Sequence, residues 1–192
     1  MDGIEETNDP HHSATHEAGH AVIARVLTLA CGGATIVPDY DDGSAGHSIT
    51  EDPSECVYEW EKRGKVRDNP DAVLYARIIA FMAGAEAEQV LLGATQGGDG
   101  DDRDQIELMA AELVAIQLGA SWSRIEPRLR AMTRMLVRRH RARIEWVAAA
   151  MLERRTLSRE ELDHLVGRSV NDVKVNAPFL LLMHQRRNED EA

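Results

Sequence analysis

A chain of 192 residues with a formal net charge of −11 is long enough to bury a sizeable core without crosslinks and too acidic for general affinity for nucleic acid. Its two cysteines, Cys31 and Cys56, make neither a disulfide framework nor a thiolate cluster, and read as free thiols of a reducing cytosol. Residues 1–9 are acidic and polar, unlike a signal peptide, and the most apolar early stretch, 21–30, carries Arg25 and is too short to span a bilayer.

Asp9-Pro10 opens the first predicted helix, with Asp as N-cap and Pro in the first turn. Ala21, Val22, Ile23, Val26, Leu27 and Leu29 carry an apolar pattern on to Cys31-Gly32-Gly33, read as the helix stop. Inside this helix His16-Glu17-Ala18-Gly19-His20 reads H-E-x-x-H. Histidines four apart lie on one helical face, so both imidazoles can reach one ion. Zinc accepts neutral imidazole nitrogen and prefers four ligands in a tetrahedron. Glu17 follows the first histidine directly, which puts its carboxylate beside the ion's open position, where a general base takes a proton from water. The pattern supplies two ligands and one base, and leaves the third ligand to be found. So short a pattern also occurs in helices that hold no metal. Its setting in a long, apolar helix favours the metal reading.

Ala34-Thr35-Ile36-Val37-Pro38 is predicted as a short strand, residues 39–46 as a turn, and His47-Ser48-Ile49-Thr50 as a returning strand. The polar residues 51–69 carry no clear pattern. Asn69-Pro70 opens a helix that Gly93 closes. Its Ala80, Ala83, Gly84, Ala85 and Ala87 are small enough for another helix backbone to approach, and the motif helix is the natural candidate. Gly97-Gly98-Asp99-Gly100-Asp101-Asp102-Arg103-Asp104 is too acidic for a phosphate loop and lacks EF-hand spacing. It reads instead as a loop that delivers an aspartate to the metal, ahead of a helix over 105–118. Residues 125–155 are mostly helical with an interruption near Pro127, and Ser158-Arg159-Glu160-Glu161 fits a capping box before a short last helix. Arginines at 130, 134, 138 and 141 fall in one helical stripe, which reads as a solvated face rather than a docking surface.

Several blocks of the chain, in order, resemble the peptidase domain of the FtsH-type ATP-dependent zinc proteases. HEAGHAV at 16–22 resembles the family's metal helix. Thr35-Ile36-Val37-Pro38, with glycines following, resembles its T-I-x-P strand and turn. Met82-Ala83-Gly84-Ala85-Glu86-Ala87-Glu88 resembles its L-A-G-R-x-A-E helix, with Ala85 in place of the arginine. AAMLERRTLSREELDHL at 149–165 resembles its C-terminal helical pair. The resemblance implies an aspartate as third zinc ligand, in a family pattern G-A-x-x-D-L. An ungapped match onto Leu113-Val114 puts it at Asp102, although Ile106-Glu107 replaces the family's A-T and Asp101 and Asp104 stand beside it. Glu88 matches a family glutamate and reads as a partner of a ligand histidine or as a solvated carboxylate, and it is the more distant rival of Asp102 for the third ligand.

The expected fold is mainly α, a helical zincin-like metallopeptidase domain with a small β-sheet or hairpin after the H-E-x-x-H helix. A flexible N-terminus over 1–9 precedes the peptidase domain at 10–167, and a tail of unassigned structure follows at 168–192. The expected function is zinc-dependent hydrolysis of peptide bonds in unfolded or flexible polypeptides, with Glu17 as base and Zn2+ held by His16, His20 and Asp102. The chain contains no G-x-x-x-x-G-K-[ST], so it reads as a stand-alone, ATP-independent, cytoplasmic enzyme without a membrane segment. A homo-oligomer and a separate ATPase partner both stay open. The alternative is a catalytically inactive module that binds metal and peptide.

Overall fold

The computed structural model describes residues 9–29, 31–38, 47–50, 71–97, 99–117 and 119–167. The expectations for residues 1–8, the turn at 39–46, the segment 51–69, Cys56 and the tail from 168 onward lie outside them. The described residues form a mainly helical fold with one small antiparallel sheet, as the sequence predicts.

Helix α1, Pro10–Val26, begins as expected, with the Asp9 carboxylate accepting the His11 amide. It stops earlier than the apolar pattern suggests. Thr28 takes φ 64°, its amide bonds to the Arg25 carbonyl, and the Leu29 amide reaches back to Ala24. These two bonds satisfy the last carbonyls in the left-handed closure that glycine usually provides. Gly32 and Gly33 are therefore not the helix stop. They belong to strand β1, Cys31–Thr35, which starts before the predicted 34–38. Between Cys31 and Ala34 the register with strand β2, His47–Thr50, shifts by one residue, a bulge that glycine accommodates. A β-carbon on Gly33 would also stand 2.6 Å from the Leu157 carbonyl oxygen, so the bare backbone lets strand β3, Thr156–Leu157, pair with β1. The sheet order is β2-β1-β3, all antiparallel. Neither β3 nor the third-strand pairing was anticipated, because two residues carry no period.

Helix α2, Asp71–Leu91, closes near Gly93, which takes φ 84°. Helix α3, Gly100–Ile116, begins at Gly100 rather than at Gln105. Asp99 stands at its N-cap and Asp101 and Asp102 in its first turn, where carboxylates favour the positive end of the helix dipole. The acidic run thus belongs to the helix as much as to the loop. Helix α4, Trp122–Arg139, runs through Pro127, and the break falls at His140 before helix α5, Arg141–Arg154. Pro127 removes one intrahelical N–H on an exposed face, which α4 tolerates. The capping box forms as predicted: the Ser158 hydroxyl accepts the Glu161 amide and the Glu161 carboxylate accepts the Ser158 amide. It starts helix α6, Arg159–Val166, which Gly167 ends at φ 64°.

The core is built around α1, whose residues are buried almost continuously from Ala14 to Val26. A helix covered on all sides must be enclosed by others. α2 and α5 pack on it, while α3 and α4 pack on α2. The α1–α2 contact is a close one, since a β-carbon on Gly19 would meet the Ala83 backbone and the Ala87 side chain. This is the approach the small residues of α2 predict. Arg25, buried on α1, donates to Asp163 of α6 and to the carbonyls of Ala21 and Gly32, which joins helix, strand and C-terminal helix. The arginines of α4 are paired within the chain at Arg130, with Glu126, and at Arg134, which holds buried Glu86 of α2 through two hydrogen bonds. Among the described residues no helix is long and apolar enough to cross a membrane.

Candidate metal centre

His16 and His20 project from one face of α1, as their spacing requires, with ring centroids 4.6 Å apart and rings set edge-on. Asp102, in the first turn of α3, reaches both: its Oδ2 lies 3.0 Å from His16 Nε2 and 3.0 Å from His20 Nε2. One ligand atom from each of the three side chains lies within 4.8 Å of the others. Asp101 and Asp104 are exposed, so only the central aspartate of the run turns inward.

The other nitrogen of each ring is already engaged. His20 Nδ1 lies 2.7 Å from the Ala80 carbonyl oxygen, which can only accept, so Nδ1 carries the hydrogen. His16 Nδ1 lies 2.6 Å from Glu88 Oε1, with the same consequence. In their neutral forms both rings therefore present a bare Nε2 toward Asp102. Two imidazoles and one carboxylate are the donor set that zinc takes in sites that leave a fourth position open. The room for an ion comes from Gly84 of α2. A β-carbon there would collide with the Nε2 atoms of both His16 and His20, so the glycine keeps clear the space in front of the donor atoms. The residues present fit a zinc ion.

The electrostatics follow from this crowding. Burial opposes a charge on His16, yet its hydrogen bonds to Asp102 and Glu88 outweigh that and push its pKa up to about 10. His20 is raised against the same desolvation by the charge of Asp102. Asp102 is held well below the usual carboxylate range: burial works against ionisation, but His20 and His16 more than offset it. Glu88 is lowered too, against its own burial, by His16, His12 and the Gln96 amide. Glu17 is buried on α1 between the two histidines, and its charge contributes to raising both.

Glu88 is not a solvated carboxylate, since it is buried and bonded to His16. Sequence reasoning passed over His12, whose Nδ1 lies 2.8 Å from Glu88 Oε2. The signal was there in the four-residue recurrence of His12, His16 and His20. It also read Gly84 as a packing residue alone, without its place against the imidazole tips.

No family model matches the chain. Among curated proteins it is similar to the ATP-dependent zinc metalloprotease FtsH 1 of Symbiobacterium thermophilum, with 27% identity over 210 residues. That similarity covers 94% of this chain and 32% of the relative, so the chain spans about a third of the length of the protein it matches.

Proposed function

We propose that the protein is a zinc metallopeptidase that hydrolyses peptide bonds in unfolded or flexible polypeptides without needing ATP. The observation that carries the reading is the convergence of His16 Nε2, His20 Nε2 and Asp102 Oδ2 on one place beside buried Glu17. The similarity to a zinc metalloprotease supports the same class. His16, His20 and Asp102 would hold the ion, and Glu88 and the Ala80 carbonyl fix the two imidazoles in the tautomer that offers Nε2. Zinc held there supplies Lewis acidity, which polarises a carbonyl and makes water a nucleophile near neutral pH. Glu17 takes the proton from the water at its carboxylate and passes it to the leaving amine. An extended peptide would add to the outer edge of β2, the last strand of the sheet on that side among the described residues.

Folded proteins would be poor substrates of this domain unless an ATPase delivers them unfolded. A cytoplasmic location fits the two unframed cysteines.

The test is cleavage of a labelled unfolded protein, with zinc content measured in parallel. Wild type should bind zinc and cleave without ATP, and Glu17→Gln should keep the zinc and lose the cleavage. Metal-dependent hydrolysis that survives Glu17→Gln would remove Glu17 from the base role. Zinc binding with no turnover by wild type would favour the alternative, a metal-bearing peptide-binding module.

A further inference from the structure

We infer that His12 is a positioning residue for the metal centre, acting through Glu88 and together with the Gln96 backbone. The inference rests on the reading that His16, His20 and Asp102 hold a metal.

Glu88 is a long side chain that is only 3% exposed. A buried carboxylate needs donors on both oxygens, and a carboxylate held at one oxygen alone still turns about its last bond. Here the two oxygens are divided between different elements. Oε1 takes His16 Nδ1 at 2.6 Å. Oε2 takes His12 Nδ1 at 2.8 Å and the Gln96 amide at 3.0 Å. His12 therefore fixes the plane of the carboxylate that orients the ligand His16. It does so one helical turn before His16 on α1, and its own ring is 17% exposed.

The same clamp reaches the third ligand. Gln96 lies in the segment that leads from α2 to α3, and α3 carries Asp102. Its amide is held by Glu88 and its side-chain Oε1 accepts the amide of Asp9, the N-cap of α1, at 3.1 Å. The N-terminal turn of the metal helix thus holds the segment that precedes Asp102 directly through Asp9, while His12 shares with the Gln96 amide the Glu88 oxygen that both donate to. His12 is no ligand itself, because the converging donor atoms belong to His16, His20 and Asp102.

The experiment uses the full chain and two readouts that do not depend on turnover: zinc affinity by competition with a chelating dye, and the visible absorption spectrum of the Co2+-loaded protein. His12→Ala should weaken zinc binding by about 10-fold, the scale of losing a partner behind a metal ligand, and should alter the cobalt spectrum. Alanine is the better helix former, so α1 itself gains from the change, and far-UV circular dichroism should be unaltered. His12→Asn places an amide N–H where Nδ1 lies and should bring affinity and spectrum most of the way back. In a Glu88→Ala background His12→Ala should add nothing. Wild-type affinity and spectrum in His12→Ala would overturn the inference and leave the proposed function standing. A loss that accompanies unfolding, or that Asn fails to repair, would also overturn it, in favour of a merely structural role. A wild-type chain that binds no zinc would overturn both readings.

Discussion

A β-carbon on Gly19 would stand 2.6 Å from the carbonyl oxygen of Ala83, so α1 and α2 touch backbone to backbone one residue before His20 and one residue before Gly84. The separation of these helices is set there, and with it the distance between the imidazoles and the rest of the site. Replacing Gly19 with alanine gains about 1 kcal/mol of helix propensity but forces overpacking against backbone, which cannot rotate away and costs about 1–3 kcal/mol. We expect Gly19→Ala to be net destabilising by up to about 2 kcal/mol and to weaken zinc binding. Urea unfolding midpoints check the sign, and a variant as stable as wild type would refute the close approach.

Gly84→Ala should act on the imidazoles instead. Its β-carbon would meet the tips of His16 and His20, rings held at Nδ1 by Glu88 and the Ala80 carbonyl, so displacing them offsets the helix-propensity gain of up to about 1 kcal/mol. The metal-free protein should keep its fold, and the zinc content after dialysis should fall sharply. Equal zinc content in the two proteins would show that the space in front of Nε2 is not where the ion goes.

The parts of this molecule that could be read from sequence are those whose causes are local. His16 and His20 share a face because helix geometry demands it, and Ser158 with Glu161 forms a cap from four consecutive residues. The helical class and the pairing of two strands after α1 followed from period. What escaped depends on distant partners. β3 exists because β1 is beside it, Gly32 and Gly33 serve a bulge rather than a cap, and Thr28 takes a left-handed conformation that its type does not favour. His12 was missed for the same reason, since its partner Glu88 lies 76 residues away.

Arg134 should matter more than its neighbours in the arginine stripe. It closes a two-bond fork on Glu86, whose side chain is 7% exposed. Without it a buried carboxylate loses its cation, so Arg134→Ala should cost about 1–3 kcal/mol, against about 0.5 kcal/mol or less for exposed Arg138→Ala. A double-mutant cycle with Glu86→Gln should recover part of the loss. Equal effects at Arg134 and Arg138 would show that the pair contributes nothing to stability.

Zinc uptake should release protons. In the metal-free chain the pKa of His16 is pushed up to about 10 by its bonds to Asp102 and Glu88, so that ring carries charge at neutral pH, and the pKa of His20 is raised by Asp102 as well. Ligation needs neutral imidazoles. Protons are therefore displaced on binding, and affinity should rise with pH, by up to about 10-fold per unit for each proton released, until His16 deprotonates without the metal. Calorimetry in buffers of different ionisation enthalpy measures the number released. Binding enthalpies that do not depend on the buffer would contradict the charged state of His16.

Thr35 and Thr156 meet across 121 residues of chain, and Arg25 reaches Asp163 across 138. Contacts so far apart in sequence form late, because a long loop must close before they reward it. During synthesis α1 and its histidines emerge well before β3 and α6, the elements that hold β1 from its other side and engage the buried Arg25. A nascent chain therefore carries its H-E-x-x-H helix with the neighbouring sheet one strand short. The order in which the chain is made thus delays the complete fold until α6 is free to dock.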